Sequence, residues 1–180
     1  MTITEAQSEM RTALMGGFMG QLVSGILWLA SAALATWSTD YWAIGLLIVG
    51  GFFIFPLTLL GLRVIGHAAT VSKENPFNRL GMQVAFVLPL SLPVVGAAAM
   101  YRPGWFYPAF MIVLGAHYLP FVTLYGMRMF YALAGILVTA GLALAMYLSL
   151  PSASGAWLTG VVLVVFAILG RRLATPEAVA

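Results

Sequence analysis

Long apolar stretches dominate the chain, and isolated charges mark where each one stops. A helix needs about 20 apolar residues to cross the hydrocarbon core of a bilayer. Span one lies between Arg11 and Asp40, about Thr12–Trp37, and span two between Asp40 and Arg63, about Tyr41–Leu62. Asn75-Pro76 offers a side-chain cap followed by proline at a first helical position, so span three runs about Pro76–Met100. Arg102-Pro103-Gly104 is a tight turn, and span four follows, about Trp105–Met127. The uncharged run from Met129 to Gly170 is too long for one crossing. Pro151-Ser152-Ala153-Ser154-Gly155 divides it into span five, about Met129–Leu150, and span six, about Gly155–Arg171. The pattern predicts an all-α, polytopic six-helix membrane bundle, with residues 1–180 forming a single membrane domain.

Composition supports this reading. Only 7% of residues are charged and 62% are hydrophobic, too few charges to solvate the surface of a soluble domain of 180 residues. Soluble enzymes, nucleic-acid binders and disordered tails are excluded. The net charge of +3 is read as membrane anchoring, and no nucleic-acid partner is expected, because no Lys/Arg run interleaved with aromatics exists. With no cysteine, there is no disulfide framework or thiolate site.

Positive charge sets the orientation. With six spans, one side carries Arg11, Arg63, Lys73, Arg79, Arg128, Arg171 and Arg172, and the other only Arg102. Seven against one places both termini in the cytoplasm. Trp37, Trp42, Trp105 and Trp157 fall at the opposite boundary, where amphipathic rings prefer to sit, and Trp28 is the exception. Ala33-Leu34-Ala35 has the form of a signal-peptide cleavage site, but Glu5 and Glu9 precede it and the apolar run exceeds a signal core. A retained first span is expected.

The even spans end alike, in Leu60-Gly61-Leu62-Arg63, Tyr125-Gly126-Met127-Arg128 and Leu169-Gly170-Arg171-Arg172. Spans two and four also share a glycine five residues before a proline, Gly51 with Pro56 and Gly115 with Pro120. Spans one and three share a fainter likeness, Met19-Gly20-Gln21-Leu22-Val23 against Gly81-Met82-Gln83-Val84-Ala85. One reading is three repeated helix hairpins about an axis along the membrane normal. The other is a common helix end with a snorkelling arginine.

Lipid offers no water, so polar groups inside a span need partners or a wet cavity. No Asp, Glu, Lys or Arg lies deep in a predicted span, which disfavours ion-coupled carriers and charged-ring channels. His117 is the outstanding residue, near the middle of span four beside Tyr118 and Pro120. Pro120 cannot donate to the Ala116 carbonyl and tends to kink the helix, and Tyr125 shares a face with Tyr118. His117, Tyr118, Tyr125 and Pro120 are candidate ligand-binding residues. The plainer reading is a histidine that hydrogen-bonds a neighbouring helix. His67 lies at a different depth, so no metal site or other cofactor is expected.

Span one carries the small-residue row Gly16, Gly20 and Ser24 beside the row Gly17, Gln21 and Gly25. Such faces allow close helix approach, and Gln21 can then reach a neighbour. These are candidate helix-packing residues, within the chain or toward a homo-oligomer or another membrane partner. Span five has the comparable row Gly135, Thr139 and Ala143. The Val64–Arg79 loop, with Lys73, Glu74, Asn75 and Asn78, is the longest polar segment and the natural place to touch lipid headgroups or a soluble partner.

The segments Phe55-Pro56-Leu57-Thr58, Asn75-Pro76-Phe77-Asn78-Arg79 and Tyr118-Leu119-Pro120-Phe121 through Arg128 resemble an uncharacterised family of small bacterial integral membrane proteins. The resemblance implies a bacterial cytoplasmic membrane, and it implies no activity and no catalytic residues. No catalytic motif is present, so an enzyme is not expected. The expected function is binding or passive permeation of a small neutral or lipid-like molecule. The alternative is a structural or accessory membrane subunit acting through helix contacts.

Overall fold

The structure, a computed structural model, describes residues 1–174. Among these residues it is all-helical. The helices are α1 (Ile3–Ala13), α2 (Phe18–Trp37), α3 (Asp40–Val64), α4 (Phe77–Tyr101), α5 (Phe106–Tyr125), α6 (Met129–Met146) and α7 (Ala153–Ala174), with short 3-10 turns at Met15–Gly17 and Pro103–Trp105. Helices α2 to α7 are long and apolar enough to cross a membrane. This is a multi-pass helical membrane bundle.

The chain opens with a helix of its own, where the sequence reading began span one at Thr12. Thr2 caps α1 by accepting from the Glu5 amide, while the Glu5 carboxylate accepts from the Thr2 amide at 2.7 Å. This capping box satisfies two otherwise orphaned donors. Ala6, Met10 and Ala13 form the buried stripe of α1 at helical spacing. The helix cannot continue into α2, because Met15, Gly16 and Gly17 all take positive φ, at 49°, 61° and 81°. Two glycines make that left-handed corner affordable in conformational terms.

The other ends follow local chemistry. Thr39 caps α3, and Asp40 occupies its first turn. The Asn75 side chain accepts from the Phe77 amide at 2.9 Å, starting α4. Gly126, at φ 66°, closes α5 two residues before the expected end. Helix α6 ends at Met146, short of the expected Leu150. Helices α3, α4 and α5 run unbroken through Pro56, through Pro89 and Pro93, and through Pro120.

Packing follows an open ring in the order α3, α2, α7, α6, α5, α4. The α2–α7 and α5–α6 interfaces are the most extensive, α2–α3 and α4–α5 come next, and α6–α7 is slight. Helices α3 and α4 share no packed interface, and only their inner edges are buried. The ring is flattened, since Trp28 of α2 crosses its middle to meet Tyr107 and Phe110 of α5 at centroid distances of 6.0 and 5.2 Å. This explains the one tryptophan away from the boundary. At the boundary, Trp157 donates to Thr36 at 3.0 Å and Trp105 to the Ala145 carbonyl at 3.1 Å. The opposite, basic end holds α1, the α3–α4 and α5–α6 connections and the end of α7.

Candidate functional site

The second half of α5 meets α4 and the start of α6 at a buried cluster of rings. His117 lies 5.6 Å from Tyr118 and 5.1 Å from Phe121 between ring centroids. Phe130, in the first turn of α6, stacks on Tyr118 at 6.0 Å and lies 5.7 Å from Tyr125. The structure thus brings His117, Tyr118 and Tyr125 into one aromatic wall, completed by Phe121 and Phe130. Pro120 is half-buried beside it. Phe121 was legible as the residue one turn from both His117 and Tyr125. Phe130 carries no sequence signal beyond its position at the start of a span.

The turn leading into α2 reaches Tyr125. Gly17 lies against Tyr125, whose ring carbon would stand 3.2 Å from a Cβ added there. Gly25, two turns on, lies against Val164 and the Gly160 carbonyl of α7. Gln21 falls between them on the same stripe and is buried. It does not make the expected reach to a neighbouring helix. Neither its Oε1 nor its Nε2 has a hydrogen-bond partner among the described residues, and the same holds for Nδ1 of His117. The polar neighbour of the imidazole is the Val84 backbone on α4. A buried amide left unpaired costs about 1–3 kcal/mol, and such groups are few in folded proteins.

The other small residues of α2 serve packing within the chain. Gly20 meets Thr58 of α3, and Gly16 meets Met127, the Gly170 carbonyl and Ala174. Ser24 is buried. Gly16 itself lies in the 3-10 turn, so the row it was assigned to starts at Gly20. The Gly135 and Thr139 positions of α6 face outward, and Gly141 is the α6 glycine packed on α5, against Pro108 and Ile112. Farther along α2, Ser31 donates to the Ala43 carbonyl at 2.9 Å and pairs with the Tyr107 hydroxyl at 2.9 Å, linking α2, α3 and α5.

The basic end is closed by α1. Gln7 donates to the Thr123 carbonyl at 2.8 Å and Arg11 to the Tyr125 carbonyl at 3.2 Å, so α1 caps the last turn of α5. Glu9 holds the α3–α4 connection, accepting from the Asn75 amide group at 2.7 Å, the Ser72 backbone at 2.7 Å and the Ser72 hydroxyl at 3.0 Å. The Asn75 amide and then the Ser72 N–H favour the carboxylate, so Glu9 is held below the ordinary carboxylate range. The Thr2 backbone and hydroxyl do the same for Glu5. His67 bonds the Thr12 carbonyl at 3.0 Å. Glu5, Glu9, Thr12 and His67 line a cleft of about 450 Å³. No group of three metal-ligating side chains occurs among the described residues.

A bundle of six apolar helices with an aromatic centre and a helical cap at one end defines a multi-pass integral membrane protein. The chain belongs to a family of unknown function, DUF7010, whose sequence pattern matches residues 3–172. No curated protein and no solved structure matches it.

Proposed function

We propose that the bundle is a non-enzymatic membrane protein that binds a small neutral molecule between α2, α4 and α5. The observation that supports this most strongly is the Gln21 amide, buried with both polar atoms unpaired. Leucine would fill the same volume without the cost of an unpaired amide. Retaining glutamine there makes sense if the amide meets a ligand. Gln21 offers one donor group and one acceptor, and His117 Nδ1 adds a further polar atom. The matching ligand is uncharged and carries a donor next to an acceptor, as a primary amide or a polyol does. The aromatic wall of Tyr118, Phe121, Tyr125 and Phe130 excludes ions and favours the apolar remainder of such a molecule.

Saturation-transfer NMR with acetamide and glycerol on the detergent-solubilised protein tests this. Signal transfer is expected for the wild type. It should vanish in Gln21→Leu and in His117→Ala while both variants remain folded. No transfer to the wild type, or equal transfer to Gln21→Leu, would end the proposal. Loss of folded His117→Ala protein alongside unchanged Gln21→Leu binding would return the histidine to packing. Shrinkage of proteoliposomes in the same solutes separates permeation from binding. The accessory-subunit reading loses the α2 row, since Gly16, Gly20 and Gly25 are occupied within the chain, and keeps only the α6 face, where Gly135 has nothing within 4 Å and Thr139 is exposed.

A further inference from the structure

The ring order contains a regularity that the helix ends only hinted at. Taken as hairpins, α2–α3, α6–α7 and α4–α5 follow one another around the ring, each presenting its second helix and then its first in the same sense. Three interfaces join the hairpins: α2 with α7, α6 with α5, and α4 with α3. The first two are the most extensive in the molecule, and the third is open.

The sequence places a glycine at the same point of each second helix. Gly51 precedes Arg63, and Gly160 precedes Arg172, by twelve residues, and Gly115 precedes Arg128 by thirteen. Gly160 is pressed on α2, where an added Cβ would stand 3.0 Å from the Leu29 amide nitrogen. Gly115 is pressed on α6, where it would stand 2.9 Å from the Ala134 carbonyl. Gly51 has nothing within 4 Å. It lines a hollow of about 60 Å³ with Leu88, Pro89 and Leu92 of α4, on a floor of Trp28 and Phe110.

We propose that this third interface is the seat of an acyl chain of an anionic glycerophospholipid from the leaflet at the basic end. Three exposed cations, Arg63, Lys73 and Arg79, stand at that end of α3 and α4 beside one exposed carboxylate, Glu74, a net positive charge of two. At 1.5 Å per residue, Gly51 lies about 18 Å along α3 from Arg63, and Leu88 about 14 Å along α4 from Arg79. Half of a 30 Å hydrocarbon core is about 15 Å, so a lipid with its phosphate on the cations reaches the hollow with the end of its tail. Basic clusters between helices are the usual site for anionic headgroups. A second copy fits less well. A helix with side chains is about 10 Å across, and a hollow of about 60 Å³ admits a few methylene groups of it at most. A two-fold contact on this face would also bring both sets of cations together.

The test is native mass spectrometry of the full chain in mild detergent, with phosphatidylglycerol or phosphatidylcholine of identical chains. The wild type should retain phosphatidylglycerol preferentially. Replacing Arg63, Lys73 and Arg79 by Gln should remove that preference, at about fivefold per charge. Gly51→Leu, which fills the hollow, should lose both lipids while its helicity and melting midpoint match the wild type. A phosphatidylglycerol bearing a diazirine at its tail end should crosslink to α3 and α4 peptides, a readout that needs no variant. Equal retention of the two lipids by wild type, unchanged retention by folded Gly51→Leu, or crosslinks only elsewhere would overturn the proposal. So would a dimer that Gly51→Leu abolishes whatever lipid is present, which would assign the face to a second copy.

Discussion

Alanine at Gly115 and alanine at Gly51 should move stability in opposite directions, although both residues stand in the middle of an apolar helix five residues before a proline. At Gly115 the new Cβ would lie 2.8 Å from Cγ2 of Val138 and 2.9 Å from the Ala134 carbonyl oxygen. The valine can rotate, but the carbonyl belongs to the α6 backbone, so α5 and α6 must separate. Overpacking of this kind costs about 1–3 kcal/mol, offset by about 0.5–1 kcal/mol from replacing a helical glycine. The net expectation is a loss of about 1–2 kcal/mol, or a midpoint about 2–8 °C lower for a chain of this size. At Gly51 nothing lies within 4 Å, so only the gain remains. Gly160→Ala should behave as Gly115→Ala, because its Cβ would approach the Leu29 backbone at 3.0 Å. Thermal unfolding in one detergent, followed by tryptophan emission, gives all three midpoints. A destabilised Gly51→Ala beside an unchanged Gly115→Ala would refute the packing assignment of both glycines.

Two further outcomes follow from polar contacts. Ser31→Ala leaves the buried Tyr107 hydroxyl without its partner and should cost about 1–3 kcal/mol, most of it recovered when Tyr107→Phe is added; chemical denaturation of the single and double variants checks this. The Glu9 clasp should be sensitive to acid. Its folded pKa lies below the ordinary 4.5, so its contribution is complete above 4.5 and is lost as pH falls through the lower folded value. The protection of the Ser72 amide against hydrogen exchange, taken relative to the intrinsic rate at each pH, should therefore fall on acidification below pH 4.5. Glu9→Gln should abolish that step, and a Ser72 protection factor that does not change with pH in the wild type would contradict the assignment.

The spans were legible because lipid tolerates few charges, and Arg11, Asp40, Arg63 and Arg102 therefore mark limits that hydropathy alone can find. Helix α1 was hidden by its apolar sequel. Leu14, Met15 and the two glycines read as the start of a span, and only the Thr2–Glu5 spacing and the Gly-Gly pair hinted at a separate capped helix. The site was legible by residue type and not by arrangement. His117, Tyr118 and Tyr125 stand out in an apolar helix, but a span that is apolar all round does not reveal which face meets which neighbour. Gly135 and Thr139 illustrate this, since their spacing matches a packing row and yet they face outward while Gly141 packs. The unpaired state of Gln21 depends on what packs around it and is not written in α2.

Why one of three similar interfaces stays open has a local explanation at the basic end. Helices α5 and α6 are joined by Gly126-Met127-Arg128 alone, a connection too short to hold them apart. Helices α3 and α4 are joined through residues 65–76, and that connection is fastened elsewhere. Glu9 holds Ser72 and Asn75, and Asn75 also donates to the Ala6 carbonyl at 3.1 Å while its own oxygen accepts from the Phe77 amide. The first residue of α4 is thereby tied to α1 and not to α3. Helix α1 is in turn fixed to the end of α5 through Gln7 and Arg11. The start of α4 is thus held through α1 to α5, its hairpin partner, while the end of α3 reaches α1 separately, through His67 and the Thr12 carbonyl. Gly51, whose counterparts Gly115 and Gly160 let helices touch, here faces the hollow between α3 and α4.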